Sequence, residues 1–297
     1  MTDVIVGLDA GGTKLGVRVD TLDGSRIADV SLPAEDWSAS PAGSAARWLA
    51  DRIRRVVPKG ARVLAVGVGA QGCDTVEHCR ELEHEFELLG YPATVVNDAE
   101  LLVPAAGIER GIGVIAGTGS IAVGRDAAGE ALFSGGWGWV IGDEGGAPAI
   151  VRDATIAALL ARDEGLPDDG LLNALQLAFG VSSAPALARA VNDTPTAENW
   201  GPRAIAVFAA ADAGSARAGR VIDRSAQRLA ALVDQLVRRG AVADAVVAAG
   251  SVIANQPRLF SALSARITRA HPALAVVLLD DAPVSGGIEL ARRRATG

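Results

Sequence analysis

The residues of this chain that could do chemistry begin at Asp9-Ala10-Gly11-Gly12-Thr13-Lys14. Two β-rich apolar runs, residues 4–8 and 15–19, flank a tight turn with two glycines, a hydroxyl and a lysine, and a carboxylate stands at its entrance. Glycine can take positive φ and lets main-chain N–H groups approach an anion closely, so such a turn can cradle phosphate. Asp9 would then face a divalent cation. Gly-Gly is also ordinary hairpin chemistry, so the turn alone leaves both readings open.

The pattern returns. Gly113-Val114-Ile115-Ala116 leads into Gly117-Thr118-Gly119-Ser120, and a second strand leads out. Asp126-Ala127-Ala128-Gly129 then matches Thr21-Leu22-Asp23-Gly24, and a third strand follows in each copy, at 26–32 and 131–134. The offset is about 105 residues, which is the size of a domain. A pair of such turns makes a clamp that holds a polyphosphate. Asp9 is the outer-sphere partner for Mg²⁺, Thr13 and Lys14 reach phosphate oxygens, and Gly117, Thr118, Gly119 and Ser120 supply donors. Phosphoryl transfer needs mainly positioning, a metal and charge stabilisation, and this inventory suits it. The chain has no G-x-x-x-x-G-K-[ST] loop. Residues 67–72 spell G-x-G-x-x-G, but Asp74 follows where a dinucleotide's pyrophosphate would sit.

The elements that must position these residues alternate between strand and helix, which predicts an α/β fold. A continuous apolar run at 63–68 reads as a central strand covered on both faces. It leads to Gln71, Gly72 and Asp74, at the strand end where ligands collect in such sheets. Asp74 is either a site residue or the N-cap of an amphipathic helix over 74–89. A strand at 93–96 ends at Asn97-Asp98, and a helix bent by Pro104 continues to 105. Helices are expected near 147–163, 169–178, 184–192, 202–213 and 215–239, then a buried strand at 245–249, a helix over 259–271 and a strand at 275–279. Residues 283–287 read as the cap of a terminal helix.

Composition narrows the classes. The 297 residues carry a net charge of −7, which argues against a broad nucleic-acid surface. Mean hydropathy is +0.27, yet the longest apolar runs, such as 245–249, are far too short to span a bilayer. No basic segment followed by a long apolar run opens the chain, so a cytoplasmic location is expected. Two cysteines, Cys73 and Cys79, cannot build a disulfide framework. With His78 and His84 nearby zinc is conceivable, but the helical stripe through Val76, Cys79, Leu82 and Phe86 favours packing. The arginine clusters at 52–55, 238–239 and 292–294 read as solvated helix ends.

The two turns, Asn97-Asp98-Ala99 after a strand, Gly136-Trp137-Gly138 leading to Gly142-Asp143-Glu144-Gly145, and Ala249-Gly250-Ser251 occur in one order. In that order the chain resembles the N-acetylglucosamine kinase and BadF/BadG/BcrA/BcrD-type ATPase family, within the sugar kinase and actin superfamily. The resemblance covers nearly the whole chain, and the stretch 135–146 is its most specific part. It implies an α/β fold of two ribonuclease H-like (actin-like ATPase) domains with a nucleotide cleft between them. Residues 1–108 with the terminal helix 284–297 would form one domain and 109–283 the other.

It further implies ATP and Mg²⁺ as cofactors and a small-molecule amino sugar as substrate. Asp98 resembles the family's general base, and Asp143 an acceptor for sugar hydroxyls, with Asn97, Gly136 and Trp137 beside it. Glu144 is either a second sugar contact or a helix N-terminal carboxylate. Trp139 reads as core. Gly250 and Ser251 resemble the adenosine-contacting loop. The zinc cluster of the related ROK kinases and the iron–sulfur cysteines of the reductase activases are missing, so a kinase is preferred to a conformational ATPase that acts on a partner protein. N-acetylglucosamine comes first as substrate and glucosamine second, each phosphorylated at the 6-hydroxyl. A homodimer is left open, because the helix at 215–239 suits either an interface or the core.

Overall fold

The β-branched runs on either side of the first glycine turn pair as an antiparallel hairpin, in the register Leu8–Val17 and Ala10–Leu15. The computed structural model describes residues 2–297. Its first half runs β1 (Asp3–Ala10), β2 (Lys14–Thr21), β3 (Arg26–Pro33), α1 (Ala42–Val56), β4 (Arg62–Ala70), α2 (Val76–Leu88), β5 (Ala93–Val96), a 3₁₀ turn (Asp98–Leu101) and α3 (Leu102–Ala105). The second half begins with β6 (Gly111–Ala116), β7 (Ser120–Arg125) and β8 (Ala131–Gly135). Six helices follow: α4 (Ala147–Asp163), α5 (Leu171–Phe179), α6 (Ala184–Asn192), α7 (Ala197–Trp200), α8 (Ala204–Asp212) and α9 (Ala216–Arg238). The chain closes with β9 (Ala245–Ala249), α10 (Ser251–Asn255), α11 (Pro257–Ala270), β10 (Ala275–Leu278) and α12 (Val284–Thr296).

The internal repeat is real in three dimensions. One sheet has the order β3-β2-β1-β4-β5 and the other β8-β7-β6-β9-β10, so the two are topologically the same. In each, the first three strands are antiparallel and the last two join in parallel. The fold class is the expected one, α/β with two such units.

Alternation along β1 decides which helices cover which face. Val4, Val6 and Leu8 pack with Leu49 and Ile53 of α1 and Leu82 and Phe86 of α2, whereas Ile5 packs with Ile288 and Ala291 of α12. Each large apolar side chain buried this way contributes about 1.5–3 kcal/mol relative to an exposed one. On the second sheet, α4, α5, α9 and α11 cover one face, and α3 covers Val247 and Ala249 on the other. Among the described residues no single helix is long and apolar enough to cross a membrane.

Between the sheets α12 crosses α3, and glycines decide how closely. A Cβ on Gly286 would lie 2.1 Å from the Leu101 carbonyl oxygen, and one on Gly67 would lie 2.0 Å from that of Gly287. Residues 283–287 are therefore not the cap of a helix that starts at 288. The helix begins at Val284, and its glycines sit inside it because other backbone passes where a side chain would be. Sequence periodicity cannot distinguish a capping glycine from a crossing one.

The start of α12 is also tied by charge. Arg18 on β2, 3% exposed, donates to both carboxylate oxygens of Asp281 at 2.8 and 2.9 Å and to Asp29 at 2.9 Å. The Arg18 guanidinium holds the Asp281 carboxyl down from 3.8 to about 2. A depressed carboxyl adds stability that is complete above its ordinary value and is lost as pH falls through the folded value. Asp281 faces solvent, which screens the pair, while its partner Arg18 is buried. Asp281→Asn should therefore cost about 1–2 kcal/mol at pH 7, between the cost of breaking an exposed pair and a buried one. The deficit should shrink between pH 4 and pH 2, as read from denaturant midpoints.

Candidate active site

Parallel pairing brings three strand ends to one edge. Ala10 lies opposite Ala70, and Gly69 opposite Val96, so the residues that follow β1, β4 and β5 emerge together. These are the first glycine turn, Gln71–Asp74 and Asn97-Asp98. In the second sheet Ile115 lies opposite Ala249, so Gly117 and Gly250 emerge together in the same way.

In the first turn the N–H of Gly11 donates to the Lys14 carbonyl at 3.0 Å. Neither Gly11 nor Gly12 has positive φ, contrary to the reason inferred for them from sequence. At Gly12 a Cβ would lie 2.8 Å from Oε1 of Gln71, the mobile end of an exposed side chain that can swing aside. Gln71 thus covers the turn. Gly72 does turn the chain through positive φ, at 91°. Thr13 and Lys14 are exposed, and Lys14 forms no ion pair among the described residues.

Asn97 and Asp98 divide the work at the end of β5. Asn97, 5% exposed, caps the 3₁₀ turn by accepting from the N–H of Ala99 at 3.0 Å. Its Nδ2 donates to Oδ1 of Asp74 at 2.9 Å and to the Cys73 carbonyl at 3.4 Å. The Asn97 amide is therefore occupied internally and holds Asp74 in place. Asp74 is not the N-cap of α2. Thr75 takes that position and accepts from the N–H of His78, so the helix starts at Val76. Asp98 Oδ1 also accepts from the Ala99 N–H, at 3.0 Å, and Asp74 Oδ1 from Asn97, which leaves the second oxygen of each carboxylate available at the strand ends.

Electrostatics sets this cluster apart. Burial, reinforced by the charge of Asp98, pushes the Asp9 carboxyl up from 3.8 to about 7. Burial, together with the charge of Asp74, raises Asp98 to about 6. Neither Asp9 nor Asp98 has a cationic side-chain partner among the described residues. Two half-buried carboxylates that repel each other, beside a turn whose residues 12–14 are exposed, fit a divalent cation and phosphate. No cluster of three or more His, Cys, Asp or Glu that could ligate a metal occurs among the described residues. An ion here would be held mainly by phosphate and water, with Asp9 behind the water. Cys73 and Cys79 are free and buried.

The second half supplies a matching group. The Ala147 N–H at the start of α4 donates to the Gly117 carbonyl at 2.8 Å. Ser120 is 3% exposed, and its hydroxyl donates to the Glu144 carbonyl at 2.9 Å, so it braces the loop instead of facing the cleft. Thr118 is exposed. Asp143, with φ of 53°, is the one non-glycine residue at positive φ among the described residues. A Cβ on Gly119 would lie 2.8 Å from its Oδ2, and its Oδ1 is buried without a hydrogen-bond partner. Burial pushes its carboxyl up, and the N–H groups of Ser120 and Gly138 partly oppose this. A strained backbone and an orphaned buried oxygen are features of functional loops.

Glu144 lies two residues before the N-cap of α4 and is held by arginines. Its carboxylate pairs with Arg152 at 3.0 Å and with Arg228 at 3.2 Å, and Gly146 is the N-cap of α4. Trp137 is 74% exposed on the same loop, between Gly136 and Gly138, both at positive φ. Trp139 packs edge-on against Trp200 at 5.2 Å, as a core residue would.

Gly250 combines a φ of 110° with a close approach, since a Cβ there would lie 2.6 Å from the Ala116 carbonyl oxygen. Thr118 and Ser251 line a cavity of about 420 Å³ with Pro202, Ile205 and Phe208. Its far wall comes from the 3₁₀ turn before α8 and from α8 itself. Sequence reasoning missed this wall, because an exposed Ile205 on an otherwise apolar helix carries no signal of its own.

Comparison with known proteins finds relatives by sequence and by fold. Over 168 residues the chain is 37% identical to the N-acetylmuramic acid/N-acetylglucosamine kinase of Clostridium acetobutylicum, covering 54% of this chain and 55% of that one. Over 190 residues it is 26% identical to the N-acetyl-D-glucosamine kinase of Dictyostelium discoideum, covering 58% and 59%. The matches thus span a little over half the length of these relatives. A solved structural-genomics protein from Chromobacterium violaceum, provisionally named an N-acetylglucosamine kinase, superposes with a TM-score of 0.70 at 22% identity, over 97% of this chain and 99% of that one. The profile of the BadF/BadG/BcrA/BcrD ATPase family matches residues 6–276, from β1 to β10, through both glycine turns and the acidic turn between them. The chain belongs to that family.

Proposed function

We propose that the protein is an ATP-dependent kinase that phosphorylates the 6-hydroxyl of an amino sugar, with N-acetylglucosamine as first substrate and glucosamine as second. The observation that carries this reading is the convergence at one sheet edge of Asp98, Asp74 and the Asp9–Lys14 turn, with Asp98 buried enough to be a poised base. Asp98 removes the proton of the sugar hydroxyl as its oxygen attacks the γ-phosphorus. The bond from that phosphorus to the β-bridging oxygen breaks, and ADP leaves. Main-chain N–H groups of both glycine turns, with Thr13, Lys14 and Thr118, bind the phosphates. Asp9 would hold Mg²⁺ through its water shell, and the ion would supply charge neutralisation on the transferred group. Asp74, Asp143 and Trp137 face the sugar, and Ser251, with Gly250 before it, borders the adenosine, for which the 420 Å³ cavity lined by Ser251 gives room. The names of the two relatives support the amino-sugar class. The half up to residue 108 with α12 would move against residues 109–283 about the α3–α12 crossing, and the need for ATP argues for a cytoplasmic enzyme.

A coupled assay of ADP release across glucose, glucosamine, N-acetylglucosamine and N-acetylmuramic acid tests this. Release should depend on an amino sugar. Sugar-independent hydrolysis would instead support a conformational ATPase that acts on a partner protein.

A further inference from the structure

Two residues beyond Asp98, Glu100 reaches toward the other sheet. One of its carboxylate oxygens accepts the main-chain N–H of Asn97 at 3.2 Å, and the other meets Nη2 of Arg125 at 2.6 Å. Arg125 ends β7, the strand that leaves the second glycine turn at Ser120. Its Nη1 donates to the Gly129 carbonyl at 2.7 Å, so the guanidinium is anchored from its own side. The Glu100 side chain is 9% exposed and that of Arg125 45%.

The surroundings give the pair mechanical importance. The Asn97–Glu100 turn is packed on one side, where Leu101 lies against Gly69 and the Ala99 carbonyl against Gly113. On the other side are two cavities of about 550 and 340 Å³, each lined by both halves of the chain and each bordered by Glu100 and Arg125. The ion pair spans a gap that apolar packing does not fill. Nothing in the phosphate, metal or sugar chemistry above uses either residue.

We propose that Arg125 is a positioning residue for phosphoryl transfer: through Glu100 it fixes the Asn97–Asp98 turn against the strand that carries the second glycine turn. The base and the phosphate-binding turn of the opposite half are thereby held in register. A small misplacement of a base from its proton costs rate without costing affinity, so the effect belongs in kcat. The proposal rests on Asp98 as the base.

The test is steady-state kinetics of Arg125→Gln and Arg125→Lys, alone and combined with Asp98→Asn. Arg125→Gln should lower kcat by about 10- to 100-fold, with KM for ATP and for sugar changed by less than about threefold and the melting temperature nearly unchanged. Arg125→Lys, which keeps the charge, should recover to within about fivefold of the parent. In the Asp98→Asn background Arg125→Gln should cost nothing further, because residues that act through one group are not additive. An equal loss in both backgrounds, a loss confined to KM, or an unchanged kcat would overturn the positioning role. Near-normal turnover of Asp98→Asn alone would overturn the assignment of the base instead. Should Arg125→Gln not fold, Glu100→Gln runs the same comparison, since its amide oxygen can still accept from Asn97.

Discussion

The Asp98→Asn variant is expected to lose about 10²–10⁴-fold in kcat while its melting temperature falls no lower than the parent's and its affinity for ATP stays near the parent's. The side chains are nearly the same size, Asn97 provides the side-chain cap of the turn, and an amide oxygen at position 98 can still accept the Ala99 N–H that Asp98 Oδ1 accepts at 3.0 Å, so the fold does not depend on the Asp98 charge. A base works only when ionised, and burial holds the Asp98 carboxyl at about 6. The parent's kcat/KM, which reports ionisations of the free enzyme, should therefore rise tenfold per pH unit below about 6 and level off above it. The amide of the variant has nothing to titrate, so its residual activity should lack that limb. A pH–rate profile of both proteins checks the two statements together. A variant that kept the limb would place the base elsewhere, with Asp74 the next candidate.

Asp9→Asn should produce the opposite signs in activity and in stability. Phosphoryl transfer should fall by about 10²–10³-fold, because a carboxylate behind the metal's water shell stabilises the transferring group electrostatically. ATP binding should also lose most of its enhancement by Mg²⁺, which calorimetric titration with and without the ion would show. The ligand-free protein should nevertheless become more stable at pH 8. Burial and the neighbouring Asp98 raise the Asp9 carboxyl from 3.8 to about 7. A group raised in the folded state favours folding while protonated, and that contribution is lost as pH rises through the folded value. Above pH 7 the parent carries an unfavourable charge that asparagine lacks, which converts to about 2–4 kcal/mol. Denaturant unfolding at pH 4, 5 and 8 should show the gap widening between the unfolded and folded values, from small at pH 4 to complete by pH 8. Such an exchange of stability for function is expected at a site built to receive a cation.

Several features explain why the chain was readable to the extent that it was. A phosphate turn needs small residues at fixed spacing between two strands, and that requirement is local. The first and second turns, Asp9–Lys14 and Gly117–Ser120, were therefore visible as text, and their recurrence with matching third strands implied two equivalent sheets. Strands and helices with clear periodicity, such as β4, α4 and β9, lie where period and caps placed them. Asn97-Asp98 stood out because a carboxylate at a parallel strand end points toward a ligand.

Side-chain commitments were not legible, because they depend on neighbours far away in sequence. Glu144 is neutralised by Arg152 and Arg228, and the Ser120 hydroxyl is taken up by a carbonyl in the next loop. Asn97 turned inward to hold Asp74 across 23 residues. The cap of α2 moved by one residue to Thr75 because Asp74 was held by that amide. The glycines at the start of α12 carry no sign of their cause, since Gly286 and Gly287 make room for other backbone. Open space has no sequence pattern.

What the sequence determined by itself was the repeated strand–turn–strand unit, the α/β class and the identity of the chemical groups, since each follows from local spacing and residue type. What only the tertiary structure decided was which carboxylates remain free, how far burial and mutual repulsion raise them, and that Arg125 and Glu100 meet between the two sheets. Those depend on distances between segments far apart in the chain, and charge interactions in a buried cleft are decided by such distances.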